Sequence, residues 1–216
     1  ACLVGSEMCI RDSPLQIIVG YAEMAILDES VPEHLRTVSQ RIYDSAIRAS
    51  KIVRNLREFA RQREPIREPV DMRQVIDRVI DLLEYEFISS GIEVVRDYSE
   101  IPLIMADQNQ MQQVILNLLK NSHDAIVETG KGRGRIDISV RQDHGKVVIT
   151  VSDTGIGIPD ELINRVFEPF FTTKPVGKGT GLGLSITYGI IRAHNGNISV
   201  RSKRGEGTTF TIELPA

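Results

Sequence analysis

The chain has 216 residues, of which 41% are hydrophobic and 25% charged, enough for one or two domains with a real core and typical of a soluble globular class. Its net charge of -3 argues against a nucleic-acid partner, which asks for a basic face. No apolar run approaches the ~18 residues of a membrane span.

The opening, LVGSEMCIRDS, carries no helical or strand pattern and lacks the basic-then-apolar order of a signal peptide. It holds both cysteines, Cys2 and Cys9, so the rest of the chain offers no disulfide or thiolate metal site, and the expected setting is reducing and cytoplasmic. From Pro14 a pattern sets in. Leu15, Ile18, Ala22 and Ala25 recur at three- and four-residue steps, and Leu35, Val38, Ile42, Ala49, Ile52, Leu56 and Phe59 repeat this close to heptad spacing. Residues 14–64 therefore read as a helical hairpin, with Pro32 between the arms able to start the second. Two helices bury two seams poorly, so the expected solution is a four-helix bundle built by a homodimer; packing on the chain's own C-terminal domain is the other way to cover them.

Two prolines in REPIREPV end the second helix, and residues 65–70 read as a linker. From residue 71 to 216 the pattern is mixed α/β. MRQVIDRVIDLLEYEF is an amphipathic helix, IEVVRDY a strand, and DQNQMQQVILNLLKNSHDAIVE a long helix with Asp107 as its cap. RIDISVRQ and KVVITVSD alternate as a β-hairpin around Asp143-His144-Gly145. A further helix runs near LSITYGIIRAH, and NISVRSKRGEGTTFTIELP closes the chain as a second hairpin. The expected fold is α+β: the helical hairpin, then an α/β sandwich whose antiparallel or mixed sheet carries helices on one face.

Chemistry concentrates in the last hundred residues. Asn117 and Asn121, four apart, share a helix face. Their amide oxygens are hard ligands that suit Mg²⁺, though two amides capping nearby backbone would look the same. In VSDTGIGIP a strand delivers Asp153 to a loop with Gly155 and Gly157. A carboxylate there can accept a hydrogen bond from an exocyclic amine such as adenine's, and the glycines allow close approach; a plain turn is the bland reading. In GKGTGLGLSI, Gly177, Gly179, Gly181 and Gly183 alternate just before a helix, whose exposed N–H groups form an anion site. The stretch is neither a Walker loop nor a dinucleotide fingerprint, because no strand precedes it. FEPFFTTK places three phenylalanines as anchors of a mobile segment, with TTKPVGKGTG as a lid and Lys174 either meeting a phosphate or simply solvated.

Taken in order, NLLKNSHDA, DTGIGIP, FEPFFTTK and GTGLGL resemble the N, G1, F and G2 boxes of sensor histidine kinases, and GEGTTF resembles their last ATP-site strand. The hairpin resembles the family's dimerisation and phosphotransfer domain, and PLQIIVGYAEM with the C-terminal ending is most similar to the nitrogen-regulation type. The resemblance implies a Bergerat ATP-binding fold with ATP and Mg²⁺ as cofactors. Asn121 and Asn117 would hold the metal, and Asp153 would bind adenine with Gly155, Gly157 and Thr208 in support. The Gly177–Gly183 loop, including Gly179, Thr180, Gly181, Leu182 and Gly183, would hold the phosphates with Lys174. It also implies a response-regulator receiver domain as partner. Ser122 stands where the family usually has Ala, a swap expected to be harmless. DNA gyrase and MutL-type ATPases share the fold but carry a Glu at the place of Asn117 to activate water. An amide is a poor base, so slow hydrolysis and a protein acceptor are expected.

The family's acceptor pattern, H-E-x-x-N-P-L, meets Pro14-Leu15 at its end, which puts the phosphoacceptor His at Cys9, the Glu at Ile10 and the Asn at Ser13. His34, His144 and His194 lack a following acidic activator, and these three and His123, which Asp124 follows, read as structural or exposed. A DNA string encoding LVGSEMCIRD is similar to the adapter of transposase-based sequencing libraries, so residues 1–13 read as non-native read-through. The expectation is a kinase core that has lost its acceptor, with no membrane contact in this fragment. The alternative is an ATP-binding, non-catalytic scaffold that dimerises and docks a regulator; a serine kinase of the anti-sigma type would lack the hairpin.

Overall fold

The computed structural model describes residues 14–60, 66–175 and 179–216. Cys9 and the rest of the opening stretch, and Gly177, lie outside them. The described residues fall into two units: the hairpin, with which Lys174 and Pro175 group, and the remainder from Ile66.

The hairpin consists of α1 (Pro14–Leu27) and α2 (Glu33–Ala60). Pro32 does open α2, its carbonyl accepting from the backbone N–H of Leu35 at 2.9 Å and Arg36 at 3.1 Å. The apolar residues divide between two faces. Val19, Ala22 and Ala46 are buried within the unit, while Ile17, Ile18, Tyr21 and Met24 on α1 and Leu35, Val38, Ile42 and Val53 on α2 are exposed. The first part of the seam read along α2, Leu35, Val38 and Ile42, is thus on the face the hairpin leaves uncovered, and the side chains of Ile52, Leu56 and Phe59 lie outside those described. Of the α1 seam, Ala22 points inward and Ile18 outward.

The second unit holds α3 (Met72–Ser89), α4 (Gln108–Glu128), α5 (Asp160–Ile163) and α6 (Gly183–Ala193). Its main sheet has the order β2 (Ile92–Tyr98), β4 (Gly134–Asp143), β5 (Lys146–Asp153), β7 (Gly207–Pro215), β6 (Asn197–Lys203). The β2–β4 pair is parallel and the other three are antiparallel, so the sheet is mixed, as expected. The first β-hairpin turns at His144 and Gly145, both with positive φ (44° and 76°), matching the strand twist. A separate two-stranded ladder, β1 (Glu68–Val70) with β3 (Ile104–Ala106), was not read from the sequence; β1 uses three residues of the stretch taken for a linker.

Alternation decides the layering. Ile136, Ile138 and Val140, then Val147, Ile149 and Val151, then Phe210, Ile212 and Leu214 are buried in one core with Ile115, Leu118 and Leu119 of α4 and Ile191 of α6. The residues between them, such as Ser139, Thr150 and Thr211, share the opposite face. Each buried Ile or Leu contributes roughly 1.5–3 kcal/mol, so this face fixes the register.

Polar ties then set α4 against α6. Asp107 caps α4, accepting from the N–H of Asn109 (3.0 Å) and Gln110 (3.1 Å). Its own N–H donates to Nε2 of buried His194 at 3.0 Å, whose Nδ1–H donates to the Ile190 carbonyl at 2.8 Å. This His is structural. His123 likewise meets Ser90 Oγ at 2.9 Å, whereas His34 and His144 are exposed.

Candidate nucleotide site

Asp153 ends β5 and is only 5% exposed. Alternation explains this: Val151 and Asp153 point into the helix-covered face, and Asp153 lies beyond the last apolar position of its strand. One carboxylate oxygen accepts the Gly155 N–H at 2.8 Å. Burial pushes the carboxyl pKa up, opposed by the Gly155 N–H, the Ser122 hydroxyl and the Thr208 backbone. Thr208 faces Asp153 across the β5–β7 ladder, is itself buried, and its hydroxyl meets Ser202 Oγ at 2.9 Å.

The loop after Asp153 is held from several sides. Thr154 N–H donates to the Arg135 carbonyl at 3.1 Å, Ile156 N–H to the Ala125 carbonyl of α4 at 3.1 Å, and Ile158 N–H to Ser202 Oγ at 2.7 Å. Gly205 N–H donates to the Ile156 carbonyl at 2.7 Å. A Cβ on Gly155 would stand 2.6 Å from that of Ala125. Gly157 has φ +69°, and a Cβ there would run into the Lys203 carbonyl. Gly157→Val is therefore expected to cost about 2 kcal/mol or more, read as a lower thermal midpoint together with weakened nucleotide binding.

Asn117 and Asn121 do share a face of α4. The side-chain nitrogen of Asn117 donates to the Gly183 carbonyl at 3.2 Å and to Thr187 Oγ1 at 3.3 Å, tying α4 to the first turns of α6. Asn121, half-buried, has no hydrogen-bond partner among the described residues. An amide oxygen of this kind, one turn along α4 from the Asn that touches the start of α6, fits a Mg²⁺ that keeps waters and bridges to phosphates. No cluster of three or more His, Cys, Asp or Glu side chains could hold a metal among the described residues.

The Gly-rich stretch reaches α6 through Gly181, whose φ of +66° and close approach to the Phe170 backbone leave no room for a side chain. Leu182 is the buried N-cap residue and offers no side-chain cap to the first N–H groups of α6, from Gly183 on. Thr180 Oγ1 is 3.5 Å from the Leu182 N–H. Gly179 begins the described part of this segment. Lys174 groups with the hairpin and is not among the residues this unit brings together. Of the three phenylalanines, Phe167 packs on Tyr188 (5.5 Å between ring centroids) and Phe210 (6.5 Å), Phe171 lies under the Arg165 guanidinium (4.7 Å), and Phe170 is 59% exposed. Only Phe167 anchors the segment in the core.

The unit thus collects a buried carboxylate, a rigid glycine loop, an unengaged amide and an uncapped helix start. Sequence reasoning missed two residues that build it, Thr187 and Ser202, whose partners are distant in sequence; Ser122, noted there only as an exchange for Ala, lies on the buried stripe of α4 with Ile115, Leu118 and Ile126.

Comparison with known proteins agrees with this arrangement. Residues 106–216 match the family of histidine kinase-, DNA gyrase B- and HSP90-like ATPases, and residues 13–65 match the His Kinase A (phospho-acceptor) domain. Sporulation kinase A of Bacillus subtilis (strain 168) is 36% identical over 205 residues, 94% of this chain and 32% of that protein. The chain spans less than half the length of such curated relatives, between 20% and 47% of four of them. Among solved structures, full-length ShkA in complex with AMPPNP superposes with a TM-score of 0.75 at 26% identity, covering 94% of this chain and 43% of that one. Histidine kinase ThkA in complex with response regulator protein TrrA gives 0.69 at 29% identity, covering 97% and 61%. With a phospho-acceptor domain followed by this ATPase domain, the chain belongs to the sensor histidine kinases of two-component systems.

Proposed function

We propose that this chain is the catalytic core of such a kinase, residues 14–64 forming the dimerising phosphotransfer hairpin and 71–216 the ATP-binding domain. ATP binds with its adenine amine on Asp153, supported by Thr208 and the Gly155–Gly157 loop. Its phosphates lie at the start of α6, near Gly179, Thr180, Gly181, Leu182 and Gly183, with Lys174 and Gly177 from the preceding segment. Mg²⁺, when bound, would supply charge neutralisation on those phosphates; Asn121 would hold it, and Asn117 would offer its oxygen, since its nitrogen is committed to α6. In the reaction a bundle histidine nitrogen attacks the γ-phosphorus, the bond to the bridging oxygen breaks, and ADP leaves; a receiver-domain Asp then takes the phosphoryl group. Positioning and charge stabilisation are what this transfer needs. The observation that carries the reading is the buried Asp153 carboxylate at the end of β5, held by the Gly155 N–H of the glycine loop. Slow hydrolysis is supported by Asn117 where related ATPases place a base. The nitrogen-regulation type is supported by PLQIIVGYAEM and the C-terminal ending.

The acceptor position falls on Cys9, so the unmodified chain binds ATP without phosphorylating itself. The test replaces residues 1–13 with a segment carrying H-E-x-x-N, His at position 9, and incubates both chains with γ-labelled ATP and Mg²⁺. Acid-labile label on the restored chain only is the expected result. Binding without label on either favours the scaffold reading, and label on the unmodified chain refutes the acceptor assignment.

A further inference from the structure

A surface helix needs one apolar stripe, the one it buries. In α3 that stripe runs through Val75, Ile76, Val79, Leu83 and Phe87, all in the core. The same helix carries a second apolar row that the described fold leaves open. Leu82 is 70% exposed, Tyr85 83% and Ile88 70%. Each stands three residues from the next, so they are neighbours on the helix surface and form one ridge. Single exposed apolar residues are ordinary. Three bulky ones in a continuous row mark a contact surface.

The charges beside the ridge say what chemistry covers it. Asp81, Glu84 and Glu86 are exposed on the same two turns, and none has a hydrogen-bond or ion-pair partner for its side chain among the described residues. The last turn of α3 holds no basic residue, so Glu86 stands at the negative end of the helix dipole, where a carboxylate costs local stability. Arg78, one turn nearer the start, is exposed and pairs with none of the three. A covering surface must therefore be apolar in its middle and basic at its edges. A second copy of α3 would set carboxylates against carboxylates. An anionic lipid surface is repelled in the same way. A helix with an apolar stripe flanked by Lys or Arg meets both demands.

We propose that Leu82, Tyr85 and Ile88 form a docking site on α3 for a basic amphipathic helix of another protein, whose Lys and Arg side chains meet Asp81, Glu84 and Glu86. The site is on a different helix from Asn117, Asn121 and the start of α6, and it does not depend on the nucleotide reading.

The probe is a synthetic helical peptide of Leu and Lys, with Leu at positions i, i+3, i+4 and i+7, set beside its counterpart with Glu for Lys. Anisotropy titrations compare the full chain with L82Q/Y85Q/I88Q, with D81N/E84Q/E86Q, and with V38E/I42E on the open face of the hairpin. Gln keeps good helix propensity, and the replaced side chains are exposed, so the ridge variant should keep its thermal midpoint and its mass in light scattering. We expect the wild-type chain to bind the Lys peptide in preference to the Glu peptide. The ridge variant should lose about tenfold or more in affinity. The neutralised variant should lose about fivefold, with a weaker dependence on salt. V38E/I42E should bind as the wild type does. No binding of the Lys peptide by the wild-type chain overturns the proposal, as does equal binding of the two peptides. So does a ridge variant that binds normally, or a loss confined to V38E/I42E, which places the peptide on the hairpin. A ridge variant of lower mass makes the ridge a contact between copies, and one with a clearly lower thermal midpoint makes it part of the chain's own packing; either result overturns the proposal too.

Discussion

Asp153→Asn should lower ATP affinity by about two orders of magnitude while making the nucleotide-free protein more stable at neutral pH. The loss follows from the geometry. One carboxylate oxygen is engaged by the Gly155 N–H. Asn can keep that bond through its carbonyl, but its NH₂ group then faces the adenine amine, donor against donor. A hydrogen bond to a charged acceptor contributes roughly 1.5–3 kcal/mol, and the mismatch adds to that, giving about 3 kcal/mol. The stability gain follows from linkage. Burial raises the Asp153 pKa in the folded state above its unfolded value. Between those two values the folded protein binds more protons than the unfolded one, so stability from this group is full below the unfolded pKa and is lost as pH rises through the folded one. At neutral pH the charge is a cost that the neutral amide removes. Calorimetric titration with ATP and a thermal scan of the same two proteins check both signs, and ATP binding by the wild-type chain should weaken as pH falls through the raised pKa. A variant that binds ATP normally would remove Asp153 from the base site.

Val38→Glu combined with Ile42→Glu should turn a dimer into a monomer and leave ATP binding per chain unchanged. Both residues are more than 40% exposed on α2, in line with Leu35 and Val53, and α1 presents Ile17, Ile18, Tyr21 and Met24. Two apolar rows left open on a two-helix unit mark an association surface, and two-fold symmetry lets one patch cover its copy. Each substitution acts twice in a dimer. At ~1.5 kcal/mol or more per lost apolar side chain the sum is on the order of 6 kcal/mol, about four decades in dissociation constant, before the cost of burying charge. Light scattering at micromolar concentration reads the result. A dimer that survives both changes would place the interface elsewhere.

What the sequence disclosed and what it hid follow from range. Periodicity revealed α3, α4, α6 and both β-hairpins because each buries one face along a continuous run. Asp107 was legible as a cap because capping is local. The β1–β3 ladder was not, since three residues on each side make no pattern and their pairing spans distant chain. The α2 seam was visible, but which apolar row meets the partner arm and which stays open depends on the crossing of two helices. Asn117 illustrates the same limit at the site. Its spacing from Asn121 suggested a metal pair, while its bonds to Gly183 and Thr187 depend on α6 folding back over α4.

The bonds that hold residues 154–158 carry a consequence for affinity. That loop is anchored to α4 through Ala125, to β4 through Arg135 and to the β6–β7 hairpin through Ser202 and Gly205. Its conformational entropy is therefore surrendered when the chain folds, not when the base arrives. A preorganised slot of this kind binds with little further ordering, so the base end of the nucleotide should contribute a more nearly constant share of the affinity than its phosphate end, whatever the ligand carries there.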